Sequence, residues 1–218
     1  MQNCTTVSLI KRPKEKDIIM NFKYITIERE YGSGGTKIAR KLAEEPGLPC
    51  YGKEILEAVS KANDIPVKDI EKYEENVTGS FLYTLYALGK SGIGNSDMLS
   101  LEGHIFIAEQ AEIQKMAYGG KAIFLGHCAC EALKDQKGVL KVYIRCSDEN
   151  EKKKRITEDY DIPERDVQRT QKHFNKKRAN YYYANTAKRW DDMNNYDVIL
   201  DSAVLGIDGC VNILKSVI

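Results

Sequence analysis

The run Tyr24-Ile25-Thr26-Ile27-Glu28-Arg29-Glu30-Tyr31-Gly32-Ser33-Gly34-Gly35-Thr36-Lys37-Ile38-Ala39-Arg40-Lys41-Leu42-Ala43 constrains the fold more than any other stretch of the chain. Its β-branched start reads as a strand, its glycine cluster as a tight turn, and Ile38, Ala39, Leu42 and Ala43 as the apolar face of a helix. Glycines at 32, 34 and 35 let the backbone turn so that its N–H groups converge at a helix N-terminus. The helix dipole makes such a turn a cradle for phosphate.

Against the phosphate-loop pattern G-x-x-x-x-G-K-[ST] the match is partial. Gly34 takes the last glycine position and Thr36 the hydroxyl position that ligates Mg²⁺, but Gly35 stands in the lysine slot and Arg29 in the first glycine slot. A glycine-rich strand-to-helix connection without a ligand is the plain alternative for this stretch alone.

The rest of the chain repeats the same alternation. Short strands are expected within Gly47–Gly52, after a helix stop, and at Lys121–Gly126, Val139–Arg145 and Tyr196–Asp201, with helices over Lys53–Ala62, Val67–Glu75, Leu101–Tyr118, Asp148–Tyr160, from Pro163 onward, and Gly206–Ile218. Strand and helix in turn, without hairpin signals, predict a mostly parallel sheet with helices on both faces. Phe81–Leu88 is apolar nearly all round and is expected in the core or at a subunit interface of a homo-oligomer. Ser91–Ser96 reads as a flexible loop.

At 218 residues the chain suits one domain over 22–218, preceded by a polar, lysine-bearing stretch, 1–21, expected to be disordered, with Met20 just ahead of the first strand. The net charge of +1 gives neither a nucleic-acid nor a membrane signature, and no apolar run reaches the length of a membrane span. Charge is unevenly spread, however. Residues 164–190 hold eight basic and two acidic side chains, which makes this aromatic-laced segment the candidate anion binder. An RNA-binding reading of its tyrosines is opposed by the near-neutral total. Six cysteines without C-x-x-C spacing point to a reduced, cytoplasmic chain, and His127-Cys128-Ala129-Cys130 is too crowded for a metal site.

From Phe22 to Ile218 the chain resembles the cytidylate-kinase-like family of P-loop nucleoside monophosphate kinases. The resemblance rests on Arg29–Gly35, Lys176–Tyr182, Lys188-Arg189-Trp190, and Asn195-Tyr196-Asp197 leading to Leu205-Gly206-Ile207. It implies a three-layer α/β fold with a five-stranded, mostly parallel sheet, a helical acceptor-binding insertion around 52–118 and a lid around 150–190 that closes over ATP. The implied reaction carries the γ-phosphoryl group of ATP to CMP or dCMP, with Mg²⁺ as cofactor and small nucleotides as the partners. By position, the backbone of Gly32, Ser33, Gly34 and Gly35 holds the β-phosphate and Thr36 the Mg²⁺. Arg29 or Lys37 supplies the missing lysine charge, Arg29 being the better placed. Arg178 is the first lid arginine, Arg189 the second, with Lys177 beside them, because a forked guanidinium suits phosphate oxygens.

The departures fall on the acceptor side. Gly52 stands where members carry Asp, and Gly126-His127-Cys128-Ala129-Cys130 where they carry Gly-Arg-Cys-Ala-Asp. An imidazole at 127 does not clamp a phosphate as an arginine does. The readings left open are a kinase for CMP or dCMP, a kinase for another small acceptor, and a nucleotide-binding sensor or scaffold without turnover.

Overall fold

A computed structural model describes residues 22–45, 47–76 and 101–218. Residues 1–21, the Phe81–Leu88 stripe and the Ser91–Ser96 loop lie outside the described residues. The strands are β1 (Tyr24–Arg29), β2 (Cys50–Tyr51), β3 (Ala122–Leu125), β4 (Val139–Arg145) and β5 (Val198–Asp201). They form one five-stranded sheet in the order β2-β3-β1-β4-β5, every pairing parallel. The strand that precedes the glycine loop is therefore central, and its C-terminal end opens between those of β3 and β4.

Alternation along β1 sorts its side chains between two layers. Ile25 and Ile27 pack with Ile123, Leu125, Val142 and Ile144 against α1 (Gly35–Leu42) and the closing helix Ser202–Lys215, through Ile38, Leu42, Val211 and Leu214. On the other face Tyr24 and Phe124 meet Ile55 of α2 (Lys53–Asn63) and Ile113 of a long helix, Leu101–Tyr118, while Tyr143 packs with Tyr181, Tyr182 and Trp190. The third helix in chain order, α3 (Val67–Asn76), follows α2, and we call Leu101–Tyr118 α4. Three layers result, as expected from the strand–helix order.

Two further helices cover most of residues 150–190, after the single-turn α5 (Ala129–Ala132). Helix α6 (Glu149–Tyr160) starts where the Asp148 carboxylate accepts from the N–H groups of Asn150 (2.8 Å) and Glu151 (3.3 Å). Helix α7 (Glu164–Thr186) runs unbroken through the tyrosine triplet and ends at Ala187, whose φ of 55° stops it. Helix α8 (Ser202–Lys215) begins four residues before the expected Gly206, capped by Asp201. Gly206 (φ 67°, ψ 172°) interrupts it, so the glycine that looks like a helix start is a kink inside one. The last strand begins at Val198 rather than Tyr196, because Asp192 caps a short 3₁₀ turn, Met193–Asn195, just before it.

Candidate active site

The glycine loop owes its shape to positive φ at Gly32 (81°) and Gly34 (78°), where a side chain would be strained. Neighbours close on it from several directions. A Cβ at Gly32 would lie 2.9 Å from the Ile156 side chain of α6, and one at Gly34 2.5 Å from Ile207 Cδ1 of α8. Ser33 donates its hydroxyl to Glu30 O (2.8 Å), and the Ser33 carbonyl accepts from Ser202 Oγ (2.6 Å) and the Arg155 guanidinium (3.2 Å). Glu30 in turn accepts from Cys146 N (3.1 Å) and pairs with the buried Lys152 (3.1 Å). These bonds fix the loop's rim to α6 and α8.

Tyr31 ties α6 and α7 to the loop. Its ring stacks on Phe174 of α7 (4.6 Å, 8° between planes) and on Tyr160 at the end of α6 (4.8 Å, 28°). Its N–H donates to Asn175 Oδ1 (2.7 Å), and the Arg178 guanidinium lies over the same ring at 5.7 Å.

Gly35 explains why the lysine slot is empty. A Cβ there would sit 2.6 Å from Arg29 Cβ and 2.9 Å from Arg29 Cγ. The Arg29 side chain thus crosses the space over Gly35, and its guanidinium rests against Gly126, where a Cβ would again collide with it. Arg178 Nη1 donates to the Arg29 carbonyl at 2.7 Å, joining α7 to the strand end. Burial and the neighbouring Arg29 charge press the Arg178 guanidinium down to about 9, which leaves it cationic at neutral pH.

Beyond Arg29 lies a cavity of about 220 Å³. Glu28 and Arg29 of β1 form one wall, Gly126, His127 and Cys128 a second, and Phe174, Lys177, Arg178, Tyr181 and Tyr182 of α7 the third. The second wall is conformationally unusual. Gly126, His127 and Cys128 have successive φ values of 79°, 54° and 49°, and left-handed backbone at the two non-glycine positions costs about 1–3 kcal/mol each. Glu28, 7% exposed, accepts the indole N–H of Trp190 at 3.1 Å. Burial raises its carboxyl above the ordinary value against the pull of Arg29, the Trp190 bond, Arg178 and His127. Behind α7, the Tyr181 hydroxyl donates to the buried Glu109 of α4.

Of the residues singled out in the sequence, Arg29, His127, Lys177 and Arg178 come together around this cavity, and Gly32, Ser33, Gly34, Gly35 and Thr36 form the loop and the first turn of α1. Lys37 points away, 56% exposed and 2.6 Å from Asp159 of α6. Arg189 lies outside the cavity wall, 75% exposed and paired with Asp191 at 2.9 Å. Glu28, Tyr31, Arg155 and Trp190 were not anticipated as site residues. For Glu28 a signal existed, a carboxylate following the run Ile25-Thr26-Ile27 four residues ahead of the first glycine of the loop.

The loop suits a nucleotide phosphate. Gly34 caps α1 without a side-chain bond, and the first amides of a helix have no intrahelical acceptor. Magnesium fits here too. Among the described residues no cluster of His, Cys, Asp or Glu could hold a metal by itself, but Mg²⁺ typically takes one or two protein oxygens and completes its shell with water and substrate phosphates. The partly buried Thr36 hydroxyl can be such a ligand. No helix among the described residues is long and apolar enough to cross a membrane.

Comparison with known proteins agrees with this geometry. The model of the cytidylate kinase-like family matches residues 24–204. A solved structure of an uncharacterized protein from Eubacterium ventriosum is 25% identical, with 89% of this chain and 97% of that chain covered and a TM-score of 0.64. Shikimate kinase from Bacteroides thetaiotaomicron is 12% identical over 88% of this chain and 96% of its own, with a TM-score of 0.47. Shikimate kinase from Acinetobacter baumannii, solved with shikimate, is 13% identical over 90% and 93%, with a TM-score of 0.44. Likenesses as weak as the last two carry no functional weight. No curated protein sequence matches the chain.

Proposed function

The chain belongs to the cytidylate kinase-like family, and from that premise we propose that it transfers the γ-phosphoryl group of ATP to a small acceptor held in the Glu28–Tyr182 cavity. The observation that carries this reading is the path of Arg29. Its side chain starts over Gly35, in the space of the missing lysine, and ends at the cavity wall beside Gly126. A cation that spans both places can neutralise phosphate charge between donor and acceptor.

The remaining roles follow from position. Backbone N–H groups of Gly32–Thr36 receive the β-phosphate, and the Thr36 hydroxyl takes a place in the shell of Mg²⁺. When bound there, the metal would supply charge neutralisation to the nucleotide phosphates. Arg178 brings its guanidinium from the lid region onto the strand end, where it meets the transferring group while the stack on Tyr31 keeps water out. Lys177 adds a cation to the cavity wall, and His127 shapes its second side.

CMP or dCMP is the acceptor the family description suggests first. A second reading is favoured by the buried Glu28 carboxylate: an acceptor that offers a hydroxyl. ADP release from ATP and Mg²⁺, measured over CMP, dCMP, UMP, AMP, GMP and hydroxyl compounds, tests the kinase reading. Acceptor-dependent ADP release is the expected result. ATP binding without ADP from any acceptor would instead favour a nucleotide-binding protein without turnover.

A further inference from the structure

We propose that Glu28 is the proton acceptor of the reaction and that the acceptor it serves is a ring-bearing alcohol rather than a phosphate monoester. The inference rests on the kinase reading above and goes beyond it in naming the base and the acceptor class.

Glu28 is the carboxylate that lines the cavity among the described residues, one position before Arg29. Its place at the C-terminal end of the central strand sets it beside the side chain that bridges loop and cavity. The two acceptor classes ask opposite things of such a group. The attacking oxygen of a phosphate monoester is already anionic and has no proton to give, so a buried carboxylate beside it is repulsive. An alcohol oxygen must lose its proton as it attacks, and a positioned carboxylate can take it.

The surrounding groups fit the second case. Burial raises the Glu28 carboxyl above the ordinary value and outweighs Arg29, the Trp190 indole N–H, Arg178 and His127, which favour the ionised carboxylate. Cys128 and Cys130 beyond β3, Tyr143 of β4, Tyr182 of α7 and Tyr196 also face Glu28, and burial keeps all five neutral near pH 7. The wall after β3 offers His127 and no arginine, and the cavity's other cations, Arg29, Lys177 and Arg178, come from the end of β1 and from α7. Three aromatic residues, Phe174, Tyr181 and Tyr182, are among the residues that line the cavity, which suits an acceptor with a ring.

The step balances. The acceptor O–H gives its proton to a Glu28 carboxylate oxygen as its oxygen bonds to the γ-phosphorus. The bond from that phosphorus to the bridging oxygen breaks, ADP leaves with the electron pair, and the proton passes from Glu28 to solvent.

The experiment uses the full chain with ATP and Mg²⁺, and follows transfer of labelled γ-phosphate to cytidine and deoxycytidine, to CMP and dCMP, and to water. These probes differ by one phosphate, and water is itself an O–H nucleophile, so the base is tested even where no organic probe is taken. Transfer to the nucleosides is expected to exceed transfer to the monophosphates. Glu28→Gln is expected to slow transfer to O–H nucleophiles by about 10²–10⁴-fold at unchanged ATP affinity, and to abolish the acidic limb of the pH–rate profile. Trp190→Phe, which removes a bond that favours the ionised carboxylate, is expected to move that limb to higher pH. Transfer to CMP faster than to cytidine, or a Glu28→Gln protein with wild-type phosphate release and pH profile, would overturn the proposal while leaving the kinase reading intact. Failure of the wild type to bind ATP in calorimetry would remove both.

Discussion

Arg29 and Gly35 occupy one space: a Cβ on residue 35 would stand 2.6 Å from Arg29 Cβ. The Arg29 side chain fills the space that a side chain on residue 35 would need. Gly35→Lys alone is therefore expected to destabilise the chain by about 1–3 kcal/mol through overpacking. Combined with Arg29→Gly, which removes both the Cβ and the Cγ that a side chain at 35 would meet, the clash with residue 29 disappears. Urea unfolding of the two single variants and the double should show coupling of about 0.5–3 kcal/mol, where independent sites would add.

Arg178 and Arg189 share a segment but not an environment. Arg178→Ala is expected to lower kcat at least tenfold with a much smaller change in ATP affinity, since it removes a charge aimed at the reacting end of β1. Arg189→Ala breaks only the exposed pair with Asp191 and is expected to change kcat less than tenfold and stability by under about 0.5 kcal/mol. Steady-state kinetics of the two variants side by side check both.

The stack of Tyr160, Tyr31 and Phe174 makes a prediction about motion. Each aromatic contact is worth about 0.5–1.5 kcal/mol beyond area burial, so Tyr31→Leu is expected to cost about 1–3 kcal/mol. Amide exchange at the end of α6 and the start of α7 should quicken more than in β1 or β4. Uniform acceleration across the chain would show that the stack does not hold the lid region specifically.

Burial also sets a pH limit. It pushes the Cys50 thiol up to about 11 and the Cys130 thiol to about 12, and raises Cys128 as well. Between an ordinary thiol value near 9 and these folded values the unfolded chain has lost protons that the folded chain keeps. Stability is thus unaffected by these groups below about pH 8 and falls with rising pH from about 9. Urea midpoints from pH 7 to 10 should show the decline, and alkylation of Cys128 and Cys130 at pH 8 should be slow until the protein is unfolded.

Much of this was readable in the residues. The apolar start of β1, Tyr24–Ile27, the glycines after it and the Gly119-Gly120 stop after α4 are local signals, and the strand–helix order leaves few topologies besides a parallel sheet. The site was legible only where one element carries it. Arg178 and Arg189 lie about three turns apart at 3.6 residues per turn, which would put them on one face if the helix continued. It ends at Ala187, and Arg189 turns outward. Glu28 reads as the polar end of a strand until Trp190, far along the chain, is folded onto it. The collision that makes Gly35 and Arg29 partners is likewise a fact of side-chain path, which spacing does not encode.

The most direct measurement is ADP formation by the wild type and by Arg29→Ala at saturating ATP and Mg²⁺, across the same acceptors. The account predicts ADP from the wild type, and a fall of about 10²–10³-fold in the variant with a much smaller change in KM for ATP. An Arg29→Ala protein that forms ADP at the wild-type rate would contradict it, as would a wild type that forms none.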